Sequence, residues 1–358
     1  MEPIRVLIVD DSAFMRKMLT NILESDPRVQ VVGTARNGQE GIKKLKQLHP
    51  DVVTMDVNMP IMDGISALKE IMETNPLPVI MLASESGTCT KNTIQAFEYG
   101  AVDFIMKPSG EISLDIETKK EEIITKVIAA KEATLTPGTL SEKRASPSIE
   151  HGRTRQKTSR KPKKQTLIAI GTSTGGPRAL QRVLIDLPAD FDIPILVVQH
   201  MPPTFTKSLA DRLNALTNLH VKEATDGEKV EKGKVYIAPG DYHMKVKMNG
   251  NNYILKLTKD KPLNNHRPSV DALFYSIAEL SEVNKIAIVL TGMGSDGSEG
   301  LRKIKQEDED ALIIAEAEET SVIYGMPRAA RDTGLADKIL PLYEIGPFLK
   351  SLQANNHE

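Results

Sequence analysis

A serine stands between glycines in Gly171-Thr172-Ser173-Thr174-Gly175, directly after the apolar run LIAI and before a helical stretch. This is G-x-S-x-G spacing, in which a strand-to-helix turn lifts a hydroxyl clear of a sheet and leaves helix N–H groups facing a developing oxyanion. The same turn also cradles phosphate, so alone it suits a nucleophile or a phosphate loop equally. TSTGGP lacks the lysine of a P-loop and does not match G-x-G-x-x-G. A serine nucleophile needs a base, and there are seven histidines. His49 lies in the N-terminal half, His151 in a polar stretch, His357 in the last two residues, and His220 opens a strand-like run. His200 closes the apolar run IPILVVQ, so it is expected at the same sheet edge as Ser173 and is the best base. His243 and His266 flank a hairpin-like insert and read as pocket or structural residues. The apolar run KIAIVLTG leads into Met293-Gly294-Ser295-Asp296-Gly297. Asp296 there can hold His200 in the right tautomer, or simply cap the helix GSEGLRKIKQ.

A second set of chemical residues lies near the N-terminus. Asp10 and Asp11 follow the first apolar run, Asp56 the third, and Lys107 the fifth. Carboxylates crowded at one sheet edge repel one another and call for a cation, and Mg²⁺ suits such oxygen ligands. Lys107 would neutralise or orient a phosphoryl oxygen, and Asp56 is placed as a covalent nucleophile. Asp10 or Asp11 taken alone reads better as a cap for the helix that follows, but the whole set at the strand ends of one unit does not.

The elements that must position these residues come in two alternating α/β series. Runs at 4–9, 29–34, 51–55, 78–82 and 102–106 read as five buried strands separated by amphipathic helices, hence a doubly wound parallel sheet. Residues 134–164 are rich in Pro, Ser, Gly, Lys and Arg and read as a flexible basic linker between domains at 1–133 and 165–353. The later domain offers strands at 165–170, 193–199, 285–292 and 311–316 and helices near 177–187, 204–215, 269–281 and 344–353. An antiparallel insert is expected over KVYIAPGDYHMKVKMNGNNYILKLT, with NGN as its turn. The fold class is therefore α/β: a five-stranded doubly wound sheet plus a second doubly wound, Rossmann-like sheet with a local hairpin.

Composition narrows the classes further. Lys plus Arg (46) nearly balances Asp plus Glu (48), which gives no reason to expect nucleic acid or a membrane surface as partner. The Arg153–Lys164 cluster reads as a solvated tether, and no output element resembles a helix-turn-helix. The single cysteine, Cys89, rules out an internal disulfide and a cysteine-based metal site. No apolar stretch approaches the ~20 residues needed to cross a bilayer. A cytoplasmic, monomeric protein is expected.

VDDSAFMR, MDVNMPIMDG and FIMKPSG resemble the receiver domains of response regulators over residues 1 to about 131. The resemblance implies that Asp56 accepts a phosphoryl group from a histidine kinase, that Asp10, Asp11, Asp56 and the main chain of Asn58 hold Mg²⁺, and that Lys107 contacts the phosphoryl group. Receivers usually carry Ser or Thr at the end of strand four; here Ala83 falls there and Ser84 one residue later. Either Ser84 supplies the hydroxyl after a local shift or the switch is weakened.

IAIGTSTGGP, VVQHMPP, IAPGDYHM, HRPSVDALF, LTGMGSDGSEG and YGMPRAA together resemble the catalytic domain of the chemotaxis protein-glutamate methylesterase (CheB) family over residues 165 to about 352. The order Ser173, His200, Asp296 also disfavours an ordinary lipase-type hydrolase, whose histidine comes last. The resemblance implies that these three are the triad, with oxyanion donors at the main chain of Met293 and near Thr174. It implies demethylation of receptor glutamates and deamidation of receptor glutamines, with no cofactor for hydrolysis. It further implies methyl-accepting chemotaxis receptors as substrates, the histidine kinase CheA as phosphodonor, and relief of inhibition on phosphorylation. His243, His266 and Arg267 lie in family motifs without an assigned role.

Overall fold

The computed structural model describes residues 2–84, 86–107, 115–135 and 164–357. The expected linker lies, from 136 to 163, outside the described residues.

The first sheet is built from β1 (Ile4–Val9), β2 (Val29–Ala35), β3 (Val52–Asp56), β4 (Val79–Ala83) and β5 (Asp103–Met106), all parallel in the order β2-β1-β3-β4-β5. Helices α1 (Ala13–Leu23), α2 (Gly38–Leu48), α3 (Gly64–Thr74), α4 (Gly87–Ala96) and α5 (Asp115–Lys131) alternate with the strands. β3 and β4 are buried along their whole length, as strands covered on both faces must be. Ser12, Asn37, Asp63 and Ser86 cap α1 to α4, each side chain accepting a backbone N–H. Strand order reverses between β1 and β3, which opens a crevice at their carboxyl ends, where Asp10, Asp11 and Asp56 sit.

The second sheet has seven parallel strands in the order β14-β13-β12-β6-β7-β9-β8. Its strands are β6 (Gln165–Thr172), β7 (Ile195–Gln199), β8 (His220–Glu223), β9 (Lys234–Ile237), β12 (Val283–Val289), β13 (Leu312–Glu316) and β14 (Lys338–Leu340). The helices are α6 (Gly176–Ile185), α7 (Phe205–Leu216), α8 (Val270–Ala278), α9 (Ser298–Glu307), α10 (Met326–Asp332) and α11 (Leu342–His357). A separate hairpin pairs β10 (His243–Asn249) with β11 (Asn252–Thr258) around a Gly250-Asn251 turn.

The expected antiparallel insert needs one correction. Its first segment, KVYI, is β9, a parallel strand between β7 and β8, and only the later part forms the hairpin. The segment is short and apolar, and such runs read alike in either setting. The strand-like run read at His220 is β8, at one edge of the sheet; β14, at the other edge, was not anticipated.

β6 lies at this sheet's own reversal point, flanked by β7 on one side and β12 on the other. The three segments carrying Ser173, His200 and Asp296 therefore leave three adjacent strands. Gly171 permits this packing, because a Cβ there would lie 2.3 Å from Cγ1 of Val270 at the start of α8. Gly171→Ala is expected to overpack this contact and destabilise the domain by about 1–3 kcal/mol. Differential scanning calorimetry should show its unfolding transition falling by several degrees.

Candidate active site

His200 and Asp296 are joined: the ring Nε2 lies 2.8 Å from Oδ2 of Asp296, with both side chains almost wholly buried. An ionised carboxylate only accepts, so Nε2 carries the hydrogen and Nδ1 keeps its lone pair. That Nδ1 is buried and has no hydrogen-bond partner among the described residues. Register places Thr172 opposite Gln199, so Ser173 and His200 leave their strands side by side. Gln199 Nε2 donates to the Ser173 carbonyl at 2.8 Å, and the His200 N–H donates to the Thr172 carbonyl at 3.2 Å. The Ser173 hydroxyl is not hydrogen-bonded to His200, so the two residues are backbone neighbours rather than hydrogen-bonded partners.

Asp296 does not cap α9, the alternative its sequence position left open; Gly297 holds the N-cap there. Its carboxylate turns instead to the N-terminus of α8. Oδ2 accepts the Val270 N–H at 2.7 Å, while Oδ1 accepts from Ser269 Oγ at 2.9 Å, Asn264 Nδ2 at 2.8 Å and the Asp271 N–H at 3.1 Å. Burial works to raise its pKa, but His200, the Val270 N–H and the Asn264 amide outweigh it and hold the carboxyl well below the usual range.

The nucleophile turn is anchored from β12. Ser173 N–H donates to the Thr291 carbonyl at 3.0 Å, and Thr291 N–H donates to Glu316 Oε2 at 2.8 Å. Glu316 is fully buried, which pushes its carboxyl up to about 7 against the pull of Thr291 and Thr320. Gly175, with φ +80°, makes the sharp entry into α6 that a side-chain-bearing residue resists. Gly292 abuts the nucleophile so closely that a Cβ on it would lie 2.8 Å from Ser173 Cβ. The main-chain N–H groups of Thr174 and Met293 find no acceptor among the described residues, which leaves two donors beside the serine.

Sequence reasoning left His266 unassigned. It stacks face to face on His200, ring centroids 3.8 Å apart and planes within 10°. Burial and the neighbouring His200 hold it down to about 4. His243 is structural: its Nε2 reaches the Lys261 carbonyl at 3.1 Å and its Nδ1 accepts the Ser269 N–H at 3.2 Å. Arg267 ties its loop to Asp241, with Nε to Oδ1 at 3.0 Å.

In the first sheet Lys107 Nζ lies 2.8 Å from both Asp10 Oδ2 and Asp56 Oδ2. One carboxylate oxygen each from Asp10, Asp11 and Asp56 falls within 4.8 Å of the others, a hard-oxygen set of three acids against one lysine that fits Mg²⁺. Asn58 N–H points at Asp56 Oδ1 from 3.5 Å. Burial pushes the Asp56 carboxyl up and Asp10 adds to it, against Lys107. Burial works to lower the Lys107 ammonium, yet its two carboxylate partners leave it raised. Ala83 is the last, fully buried residue of β4; Ser84 follows it, with its N–H on Cys89 Sγ at 3.3 Å and no hydrogen bond to Asp56 or Lys107.

The two sites are physically connected, which the sequence did not show. Thr174 Oγ1 donates to Asp103 Oδ2 on β5 at 2.5 Å. Phe104 of β5 stacks on Phe205 of α7, centroids 4.5 Å apart, and Glu98 pairs with Arg212 at 2.6 Å. Lys126 of α5 donates to the Phe104 carbonyl at 2.6 Å and pairs with Asp103 at 3.4 Å. The first domain thus lies across the serine turn of the second.

Known proteins place the chain in context. The CheB methylesterase family model matches residues 168–349, and the response regulator receiver domain model matches 6–117. A protein-glutamate methylesterase/protein-glutamine glutaminase of Halalkalibacterium halodurans is 51% identical over 339 residues, covering 95% of this chain and 95% of that protein. The protein of the same name from Bacillus subtilis is 45% identical, covering 97% and 98%. Among solved structures, the Thermotoga maritima CheB methylesterase catalytic domain is 47% identical, with TM-score 0.50, over 52% of this chain and 98% of that one.

His266 offers a check on this geometry. The unfolded histidine binds its proton near 6.5, but the folded one does so only near 4. Between those values the unfolded state holds more protons, so stability falls as pH falls, by on the order of 3 kcal/mol in total. His266→Phe keeps the ring without the proton. Urea unfolding should show wild type losing stability relative to this variant between pH 6.5 and 4; parallel pH profiles would contradict a buried neutral His266.

Proposed function

The chain belongs to the CheB methylesterase family, carrying a response regulator receiver domain ahead of a protein-glutamate methylesterase/glutaminase domain, and we propose that it acts as a serine hydrolase under phosphorylation control. The observation that carries the hydrolase reading is His200: its Nε2 is committed to Asp296, its Nδ1 is buried and unbonded, and its backbone leaves the sheet next to that of Ser173. Ser173 Oγ attacks the γ-carbonyl carbon of a methylated glutamate on a chemotaxis receptor while His200 Nδ1 takes the hydroxyl proton. The negative oxygen that forms is met by the N–H groups of Thr174 and Met293. His200 returns the proton to the leaving methoxide, and methanol departs. Water, deprotonated by the same nitrogen, then cleaves the acyl-serine. With glutamine the leaving group is ammonia, and the rest is unchanged. Asp296 keeps its charge throughout and balances the imidazolium. Hydrolysis needs no cofactor in this scheme.

In the receiver, Asp56 is the phosphoacceptor and a CheA-type histidine kinase the donor. Asp10, Asp11, Asp56 and the Asn58 main chain would hold Mg²⁺, which when bound supplies positive charge for the phosphoryl oxygens. Lys107 sits to pair with the phosphoryl group, and Ser84 is the nearest hydroxyl-bearing residue past β4. Added charge at Asp56 acts on Lys107, the residue that follows β5. Movement of β5 would break the Asp103–Thr174 bond and lift the receiver from the serine turn. No helix among the described residues is long and apolar enough to cross a membrane, and we assign the chain to the cytoplasm, where receptor tails and kinase lie.

Methanol release from methylated receptor membranes should fall by about 10³-fold or more in Ser173→Ala; a variant retaining turnover would remove Ser173 as nucleophile. A small phosphodonor with Mg²⁺ should raise the wild-type rate by roughly fivefold or more. Asp56→Asn should not respond. Equal rates with and without donor in wild type would leave the receiver without a controlling role.

A further inference from the structure

We infer that Asn264 is a positioning residue for the triad acid, its side-chain amide bridging the Asp296 carboxylate and a second buried carboxyl beside it, Asp271. The inference rests on the triad reading above. Asn264 Nδ2 donates to Asp271 Oδ2 at 2.7 Å and to Asp296 Oδ1 at 2.8 Å. An amide nitrogen has two hydrogens, so both bonds form at once and no lone pair faces either carboxylate. Asp271 is itself buried; its Oδ1 accepts the Gly300 N–H at 2.6 Å, and its own N–H donates to Asp296.

Two acids therefore share the space at the start of α8, and like charges so close disfavour joint ionisation. Burial and the charge of Asp296 push Asp271 upward, consistent with that strain. Without the amide, the cheapest arrangement is a proton shared between the two carboxyls. A shared proton would weaken the charge on Asp296 and its hold on His200.

The backbone supports this reading. Asn264 and Asn265 have φ of 54° and 64°, in the left-handed region where Asn is enriched among residues other than glycine. Two residues on, His266 stacks on His200, so one loop touches both the acid and the base.

The test uses the full chain and methanol release from methylated receptor membranes. Asn264→Gly removes the amide while keeping the positive φ accessible. It should lower kcat by about tenfold or more with KM unchanged, as small misplacements of catalytic groups do. Asp271→Asn alone should stay near wild type. The double variant should recover most of the loss, because the substituted side chain at 271 is uncharged and carries an N–H of its own. A thermal melt of each variant separates turnover from folding. Wild-type turnover in Asn264→Gly, or a loss that Asp271→Asn leaves untouched, overturns the inference. Asp296→Asn distinguishes the two levels: if it is inactive while Asn264→Gly is normal, only this inference fails, whereas full activity in Asp296→Asn removes the triad reading beneath it.

Discussion

Asp296 carries a charge that a protein interior penalises by several kcal/mol unless it is paired and hydrogen-bonded. Five donors meet it: His200, Asn264, Ser269 and the N–H groups of Val270 and Asp271. Those donors come from the end of β7, a loop and the first turn of α8, so the carboxylate dictates where three separate segments meet. For α8 to begin there, Val270 must press onto β6, and only a glycine at 171 leaves it room. For β12 to deliver Asp296 beside β6, the sheet must reverse at β6. The catalytic fold is thus arranged around solvating one buried anion, and the histidine it orients is the means by which that anion acts.

The serine turn answers to a second constraint, imposed by the other domain. Thr174 has a main-chain N–H next to Ser173, yet its hydroxyl is bound to Asp103. Asp103 in turn faces Lys126, and β5 ends one residue before Lys107, which is paired with Asp56. The strand β5 itself therefore spans the distance between the acidic crevice of one sheet, at Lys107, and the serine turn of the other, at Asp103. Phe104 on Phe205 and Glu98 with Arg212 brace it from either side. These contacts are few and mixed in character, the kind of interface that a change of one or two charges can shift.

Much of this was legible in the sequence because polar residues at the ends of apolar runs are conspicuous. Ser173, His200, Asp296, Asp10, Asp11 and Lys107 follow buried strands and Asp56 ends one, and parallel sheets put such residues at one edge. What escaped was whatever depends on contacts far apart in the chain. KVYI read as part of a hairpin because four apolar-patterned residues carry no mark of the partner they choose. Asn264 sits in a loop with no periodicity, and its worth comes from acids 7 and 32 residues away. His266 was visible as a motif residue, but stacking on His200 needs the loop's fold. Asp103 left one unread signal: a carboxylate inside a buried strand, which needs a partner from somewhere.

The two acidic sites handle the same electrostatic problem in opposite ways, and the contrast explains their different chemistry. At Asp296 five N–H and O–H donors meet the carboxylate, so the charge is fixed in place beside His200. At Asp10, Asp11 and Asp56 three carboxylates face one ammonium, and Asp11 stands open to solvent. That cluster is left electrostatically incomplete, with three acids against one lysine. A saturated carboxylate makes a steady support for a base, whereas an unsaturated one keeps the lone pairs a nucleophile needs. The chain places one of each at the carboxyl end of a parallel sheet, and β5 leads into Lys107 at the one site and carries Asp103 against the serine turn of the other.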